Sequence, residues 1–96
     1  MKYVMFWEFC PENLDKVIVK LMRQNKLAEE HPEDYPKIVF PTHSMGGSFK
    51  GLAIVEAEDE KQLSNMVIAY MPEMTMKFVP LIDGRKFIEL YKKSKQ

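Results

Sequence analysis

The sequence has a single cysteine, no long apolar run and no excess of either charge sign. Because Cys10 stands alone, no internal disulfide can form, and a small fold without disulfides is typical of a reducing cytoplasm. Fourteen Lys and Arg residues balance fourteen Asp and Glu residues, which argues against nucleic acid or anionic lipid as a partner. Glu8 interrupts the apolar start, so we expect neither a signal peptide nor a membrane span. These absences predict a soluble, cytoplasmic protein.

The sequence also lacks the common catalytic and cofactor motifs. Gly46-Gly47 stands in no GxGxxG or GxxxxGK context, and Cys10 belongs to no CxxC pair. Cys10 is therefore expected to pack or to cap a helix rather than to act as a nucleophile. His31, in a proline-bounded loop, is expected to be a solvated surface residue. We predict no cofactor and no metal.

A chain of 96 residues predicts one domain, spanning residues 1–96. Hydrophobic periodicity predicts strands over residues 3–9, 37–44, 49–57 and 74–82, and helices over 12–30, between Asp59 and Pro72, and after Asp83-Gly84. The first helix is expected to bury the stripe formed by Leu14, Val17, Ile18, Leu21, Met22 and Ala28. Gly46-Gly47 favours a hairpin between the second and third strands.

This order of elements predicts an α+β fold of the ferredoxin-like βαββαβ type. Right-handed crossovers give an antiparallel sheet of order 4-1-3-2, with two helices on one face, and a C-terminal helix is appended. The prolines agree with this order. Pro41 and Pro80 fall in the second and fourth strands, which are the two edges, where a residue without an amide donor is tolerated.

Strand alternation predicts one sheet face that the helices cover and one that nothing in the chain covers. The covered face is expected to include Met5, Trp7 and Phe40. The open face is apolar in its middle, and its apolar residues are Val4, Phe6, Leu52, Ile54, Val79 and Leu81. Exposure of these side chains forfeits on the order of 10 kcal/mol, which is comparable to the stability of a domain. We therefore predict a homodimer in which two open faces meet.

Three methionines, Met71, Met74 and Met76, lie within six positions, a spacing that thioether sites for monovalent copper also use. Met74 and Met76 are predicted to share the helix-facing side of the fourth strand, and Met71 closes the preceding helix. No nearby cysteine or histidine completes a soft metal site. We therefore favour packing between helix and sheet, where flexible methionine fills gaps well.

Polar side chains gather at one end of the predicted open face. Counting back from Gly46-Gly47 places His43 opposite Lys50, with Glu8 beside Lys50 on the neighbouring strand and Lys77 beyond it. A few convergent polar groups on an apolar wall are typical of small-ligand sites. The sequence therefore predicts ligand-binding residues Glu8, His43, Lys50 and Lys77.

Catalysis at this end is an alternative. Histidine titrates near neutral pH, so His43 can act as a base that Glu8 orients, while Lys50 or Lys77 receives an anionic oxygen. In the simpler interpretation Glu8 and Lys50 form an interface ion pair and His43 is a hydrogen-bonded rim residue. We favour the simpler interpretation over catalysis.

Three segments carry a resemblance to known proteins: MKYVMFWEF, the histidine-bearing hairpin before GGSFKGLAIVEAEDEKQL, and MTMKFVPLID. They resemble the small stand-alone proteins of the dimeric α/β-barrel superfamily, and within it an uncharacterised prokaryotic group. The resemblance implies a ferredoxin-like protomer that dimerises through its sheet. Members include cofactor-independent monooxygenases, muconolactone isomerase-like enzymes, heme-degrading proteins and amino-acid-sensing domains, so the fold selects no activity. His43 lacks the neighbours that a heme site of that kind needs.

Three functions remain open at this point. The first is a cytoplasmic homodimer that binds a small molecule at the Glu8, His43 and Lys50 end of the sheet. The second is a cofactor-independent monooxygenase or isomerase that uses His43 and Glu8. The third is a structural or regulatory module whose sheet mediates assembly without a ligand.

Overall fold

The computed structural model describes residues 1–95. Its elements are β1 (Lys2–Phe9), α1 (Leu14–Glu30), β2 (Lys37–Ser44), β3 (Lys50–Glu56), α2 (Glu60–Tyr70), β4 (Met74–Pro80) and α3 (Gly84–Ser94). Short 3-10 turns at Pro11–Asn13 and Pro32–Asp34 flank α1. The first turn begins with proline at the helix start, and it delays the α-helix by two residues relative to the predicted start.

The strands form one antiparallel sheet of order β2-β3-β1-β4. This is the predicted order 4-1-3-2 counted from the other edge, so the α+β ferredoxin-like fold with a C-terminal helix is confirmed. Pro41 lies in the edge strand β2 and Pro80 ends the edge strand β4. Gly46 and Gly47 turn the chain between β2 and β3 with φ of 63° and 72°, a conformation that favours glycine.

The core lies between the sheet and the two helices α1 and α2. Its buried apolar cluster consists of Met5, Val17, Ala53, Val55, Met66, Tyr70 and Met74. The strand members of this cluster all belong to the face predicted to be covered, because their side chains alternate with those of the open face. Asp59 starts α2 as its N-cap, and its Oδ1 accepts a hydrogen bond from the Gln62 amide at 3.0 Å.

α1 packs through a different stripe from the one its apolar residues predict. Two members of the predicted stripe are on the packed side, since Val17 is buried and Ala28 is half-buried. The other packed residues were not predicted: Gln24 is buried, and Lys20 and Leu27 are half-buried. In contrast, four members of the predicted stripe are exposed, namely Leu14, Ile18, Leu21 and Met22. At about 100° per residue, the observed stripe is rotated by about a quarter turn from the predicted one.

Two polar contacts hold this orientation of α1. Lys20 Nζ donates a hydrogen bond to the Met71 carbonyl at 2.6 Å and forms an ion pair with Glu73. Both partners lie between α2 and β4, so the Lys20 side of α1 faces α2. The apolar flank of α1 consequently points away from α2 and is left without a partner in the described chain.

The open face of the sheet has no layer over it among residues 1–95. Five apolar residues of this face are only half-buried: Val4, Phe6, Leu52, Ile54 and Val79. In contrast, the β3 residues that face the helices, Gly51, Ala53 and Val55, are all buried. Leu81 lies beyond the end of β4 and is exposed. All residues of β2 are exposed, and so are all residues of α3. No helix among residues 1–95 has the length and apolar character required to span a membrane.

Candidate functional site

The charged end of the open face is built by the pairing of three strands. Glu8 on β1 pairs with Lys50 on β3 and with Thr75 on β4. Directly opposite residues in an antiparallel sheet project from the same face with their Cβ atoms about 4.5–5.5 Å apart. Thr75, Glu8 and Lys50 therefore form one row across the sheet, which we call the outer row.

A second row lies next to it on the same face, one pleat further from the hairpin end. Lys77 pairs with Phe6, Phe6 pairs with Leu52, and Leu52 pairs with His43. This inner row has an ammonium at one end, an imidazole at the other and two apolar side chains between them. The two rows together place three of the predicted polar residues around Phe6.

A depression of about 250 Å³ opens at this place. Its lining includes Phe6, Glu8, Lys50, Thr75 and Lys77, together with Met45 from the hairpin loop. The volume is close to the lower end of small-ligand sites, which measure about 300–1,000 Å³. Two ammonium groups against one carboxylate give the depression a net positive charge, which favours an anionic group on a bound molecule.

The charged side chains of the depression form no ion pairs with other described residues. The ion pairs among residues 1–95 are Lys20 with Glu73 and His31 with Glu33. Glu8 and Lys50 are neighbours across the strands but are not among these pairs. Thr75 Oγ1 donates a long hydrogen bond of 3.3 Å to the Glu8 carbonyl, so the Glu8 carboxylate stays free for a ligand or a partner.

His43 lies outside the depression, because β2 is bulged. The pairing is Lys37 with Glu56, Ile38 with Val55, Phe40 with Ile54, and His43 with Leu52. The register shifts between Ile38 and Phe40 and again between Phe40 and His43. The prediction that His43 opposes Lys50 is therefore wrong by two residues.

The bulges have a local cause and a clear effect. Each bulge adds one residue to β2, and Pro41, which has no amide to donate, sits in the second one. The first shift turns Phe40 to the open face, contrary to the prediction that it is covered, because a slip of one residue reverses the face. The second shift returns His43 to the open face.

The His43 ring is held on its own strand. It stacks on Phe40 with ring centroids 4.7 Å apart, and its Nδ1 lies 2.7 Å from the Pro41 carbonyl. A carbonyl only accepts hydrogen bonds, so Nδ1 carries the proton and Nε2 is left without a protein partner in the described chain. Since β3 lies between β2 and β1, two strand spacings of about 4.8 Å separate His43 from Glu8. Within the described chain, His43 and Glu8 are therefore too far apart for a hydrogen bond.

Comparison with known families places the chain. Residues 1–95 match the family model described as a domain of unknown function, DUF3303. The chain belongs to this family. A search of curated proteins found no match. Membership agrees with the expectation of a small uncharacterised family, whereas the dimeric barrel implied by the resemblance belongs to the proposals below.

The methionines of this DUF3303 protein are spread over different environments. Met74 is buried in the core and Met76 packs against it. Met71 is 51% exposed, contrary to the prediction that it lies in the seam between helix and sheet. The packing interpretation therefore holds for Met74 and Met76 but not for Met71. The Met71 side chain is exposed, and its backbone carbonyl accepts the hydrogen bond from Lys20.

A second depression of the DUF3303 fold, of about 510 Å³, lies between α1 and α2. Its lining includes Lys20, Arg23, Gln24, Asp34 and Asn65. Asn65 Nδ2 donates to the Asp34 carbonyl at 2.9 Å. Gln24 is buried, yet neither atom of its amide has a hydrogen-bond partner among the described residues. Periodicity missed this position because it placed Gln24 on the solvent side of α1.

A group of potential metal ligands lies at the end of α1. The ligand atoms of His31, Glu33 and Asp34 lie within 4.8 Å of one another. His31 and Glu33 are exposed, as the sequence predicts for His31, and Asp34 is half-buried. Structural zinc sites use four ligands that are mostly cysteine and histidine, and this group offers a single imidazole. Its arrangement is that of a solvated acidic turn.

Proposed function

We propose that this protein is a homodimer that binds a small molecule with an anionic group, in the depression around Phe6. The observation that carries the proposal is the pair of ammonium groups, Lys50 and Lys77, that flank Glu8 at an apolar depression, on a sheet face that no part of residues 1–95 covers. Convergent charges on an apolar wall are the usual construction of a small-ligand site.

The depression is open on one protomer, and a second protomer supplies the missing wall. Half-buried apolar residues run from the depression along the open face, namely Val4, Phe6, Leu52, Ile54 and Val79. Completing the burial of such side chains is favourable by about 25 cal/mol per Å². An isologous contact of two open faces buries both sets, and the open face of each protomer then closes the depression of the other.

Chemically, the site is suited to binding rather than to proton transfer. An anionic oxygen accepts from the ammonium groups of Lys50 and Lys77, and an apolar body rests on Phe6. Charge-assisted hydrogen bonds of this kind contribute about 1.5–3 kcal/mol each. His43 lies opposite Leu52, at the rim of the depression. The geometry of one protomer therefore gives no support to catalysis in which His43 acts as a base and Glu8 orients it.

Ligand binding is tested with benzoate, and benzamide serves as the uncharged isostere. Chemical-shift titration of the protein is expected to show tighter binding of benzoate, and Lys50→Met or Lys77→Met is expected to weaken it by about 10-fold or more. The matched control is Lys61→Met, because Lys61 is exposed on α2. Equal affinities in all three variants, or no binding by the native protein, would leave only an assembly module.

The homodimer is tested by sedimentation equilibrium. Ile54→Glu places a charge in the proposed interface and is expected to yield monomer at concentrations where the native protein is dimeric. Ile68→Glu is the matched control, because Ile68 lies on the exposed side of α2. A native chain that stays monomeric at all concentrations refutes the homodimer.

The cytoplasmic location is part of the same proposal. Cys10 is a free and exposed thiol, which is compatible with a reducing compartment. Recovery of the protein from the oxidising side of a membrane in fractionated cells would contradict it.

A further inference from the structure

The C-terminal helix α3 is amphipathic, and all of its residues are exposed, so no other part of residues 1–95 covers it. Phe87, Ile88 and Tyr91 form one stripe, and they are 62%, 53% and 56% exposed. Charged residues occupy the opposite side: Arg85, Lys86, Glu89, Lys92 and Lys93. Asp83 caps the helix, its Oδ1 accepting a hydrogen bond from the Arg85 amide at 2.8 Å. An isolated helix shorter than about 12–15 residues is marginal in water, so this stripe needs a surface to pack on.

Once the open faces are paired in the proposed homodimer, the exposed flank of α1 remains as an apolar surface of matching form among residues 1–95. Leu14, Ile18 and Leu21 lie on this flank and point away from α2. α1 connects β1 to β2, whereas α2 connects β3 to β4, so the flank faces the side of the helix layer above β2. Ile38 of β2 is exposed there and opposes the core residue Val55. Neither main helix covers β2 on this side.

We propose that α3 of one protomer packs its Phe87, Ile88 and Tyr91 stripe on the exposed α1 flank of a second copy, and that the exchange is reciprocal. The inference rests on the homodimer proposed above and identifies α3 as the segment that stabilises the dimer. A two-fold axis parallel to the strands sets β4 of one protomer over β2 of the other, because these strands are the opposite edges of the sheet.

The lengths permit the exchange. Two sheets packed face to face lie about 10 Å apart, and a helix layer lies about 10 Å further out. The segment from the end of β4 through α3 must therefore extend about 20 Å perpendicular to the sheets to reach the partner's α1. The linker of residues 81–83 spans up to about 10 Å, and a helix of eleven residues adds about 16 Å. The long dimension of the described chain, 56 Å against a thickness of 19 Å, agrees with a helix that leaves its own domain.

Charge and area both favour a second copy as the occupant. Residues 84–95 carry a net charge of +4, and because the whole chain is neutral, residues 1–83 carry −4. Asp15 lies three residues before Ile18 and borders the α1 flank, whereas α1 as a whole carries four basic and three acidic residues, so the attraction to α3 is local to the Asp15 end of the flank. An aromatic side chain buries about 150–250 Å², so each α3 stripe offers about 300 Å². Two exchanged helices and the two surfaces that receive them bury about 1,200 Å², the lower bound of a stable interface.

Cross-linking tests the exchange directly. In a Cys10→Ser background, chains with Leu21→Cys are mixed with differently tagged chains carrying Ile88→Cys and are then oxidised. The expected product is a disulfide-linked heterodimer. The matched control replaces Leu21→Cys by Ile68→Cys, which is expected to give at least about 10-fold less product. Equal product from both pairs, or a monomeric disulfide in one chain carrying both Leu21→Cys and Ile88→Cys, overturns the exchange.

Sedimentation equilibrium separates this inference from the homodimer itself. The double variant Phe87→Ser and Tyr91→Ser keeps the Asp83 cap, and it is expected to weaken dimerisation by at least about 100-fold, since each lost anchor contributes about tenfold. An unchanged dimerisation constant refutes the exchange and leaves the sheet contact standing. A native chain that is monomeric refutes both.

A membrane surface is the competing occupant, because basic amphipathic helices also bind anionic lipid. Flotation with phosphatidylglycerol vesicles distinguishes the two. Under the exchange, the native dimer does not float with the vesicles. Flotation of the native dimer that the Phe87→Ser and Tyr91→Ser double variant abolishes would show that the stripe is free, and it would overturn the exchange.

Discussion

Replacing Gln24 by methionine is expected to stabilise the protein. Gln24 is 4% exposed, and both polar atoms of its amide are buried without a hydrogen-bond partner among residues 1–95. A buried polar group left unsatisfied costs about 1–3 kcal/mol. Methionine has a similar length, a similar helix propensity and no polar hydrogen to satisfy, so the Gln24→Met variant removes the cost with little change in packing.

The expected gain is about 2 kcal/mol in the free energy of unfolding. For a domain of this size, 1 kcal/mol shifts the melting temperature by about 4–8 °C, so the variant is expected to melt about 8–16 °C higher. The assay is urea and thermal unfolding followed by circular dichroism. Protein concentration is held fixed, because the proposed dimerisation would contribute to apparent stability.

Gln62 provides the opposite case within the same helix layer. It is 6% exposed, but its Oε1 accepts from the Glu58 amide at 2.8 Å and its Nε2 donates to the Glu33 carbonyl at 3.0 Å. Gln62→Met leaves the Glu58 amide and the Glu33 carbonyl without these hydrogen bonds, so it is expected to destabilise the protein by about 1–3 kcal/mol. If Gln24→Met destabilises as much as Gln62→Met does, then the Gln24 amide is satisfied in solution and the reasoning is refuted.

Three further substitutions test the packing, the helix cap and the ion pair. Gly51→Ala is expected to destabilise the protein by more than 2 kcal/mol in urea unfolding, because a Cβ there overlaps the Trp7 indole and a β2 carbonyl; a neutral effect contradicts the close approach. Asp59→Ala removes the α2 cap and is expected to cost about 1 kcal/mol, while Asp59→Asn retains most of it; equal losses would exclude capping. Lys20→Met removes the hydrogen bond and charge that lower the pKa of Glu73 below 4.5. The stability that Lys20 adds through Glu73 is thus present above pH 4.5 and is lost as pH falls through the lowered pKa. The difference in unfolding free energy between native and variant protein is therefore expected to narrow in acid to the part that the Lys20 hydrogen bond to the Met71 carbonyl contributes; a constant difference contradicts the linkage.

The fold could be predicted because its strands alternate cleanly. Met5, Ala53 and Val55 occupy every second position on the covered face, and a slip of one residue between β1 and β3 would turn Met5 to the opposite face from Ala53 and Val55. The same register predicts that Glu8 lies opposite Lys50, and the structure has this pair. The two edge prolines then fixed which strands lie outside, because Pro41 and Pro80 are not tolerated in central strands.

The hairpin side of the site could not be predicted, for a physical reason. β2 is an edge strand whose residues are all exposed, so burial does not enforce its register. Two bulges therefore persist there at little cost, and they move His43 from Lys50 to Leu52. Met45 lines the depression from a loop, where neither period 2 nor period 3.6 applies.

The packing face of α1 could not be predicted from hydrophobicity, because an apolar stripe does not reveal which surface it packs against. Leu14, Ile18 and Leu21 are the better candidates for burial by hydrophobicity, yet α1 meets α2 through Lys20 and Gln24. The Lys20 contacts with the turn after α2 hold this orientation. Such a rotation is consistent with an apolar flank that serves a contact outside the protomer.

The bulged outer strand β2 has a consequence for how the protein behaves while it is being made. A flat strand with a free edge is a template on which further chains add to a sheet and grow into fibrils. Here the two register shifts and Pro41 break the regular spacing of amide donors along that edge. A newly synthesised chain that exposes its apolar residues is therefore protected from seeding aggregation through this edge.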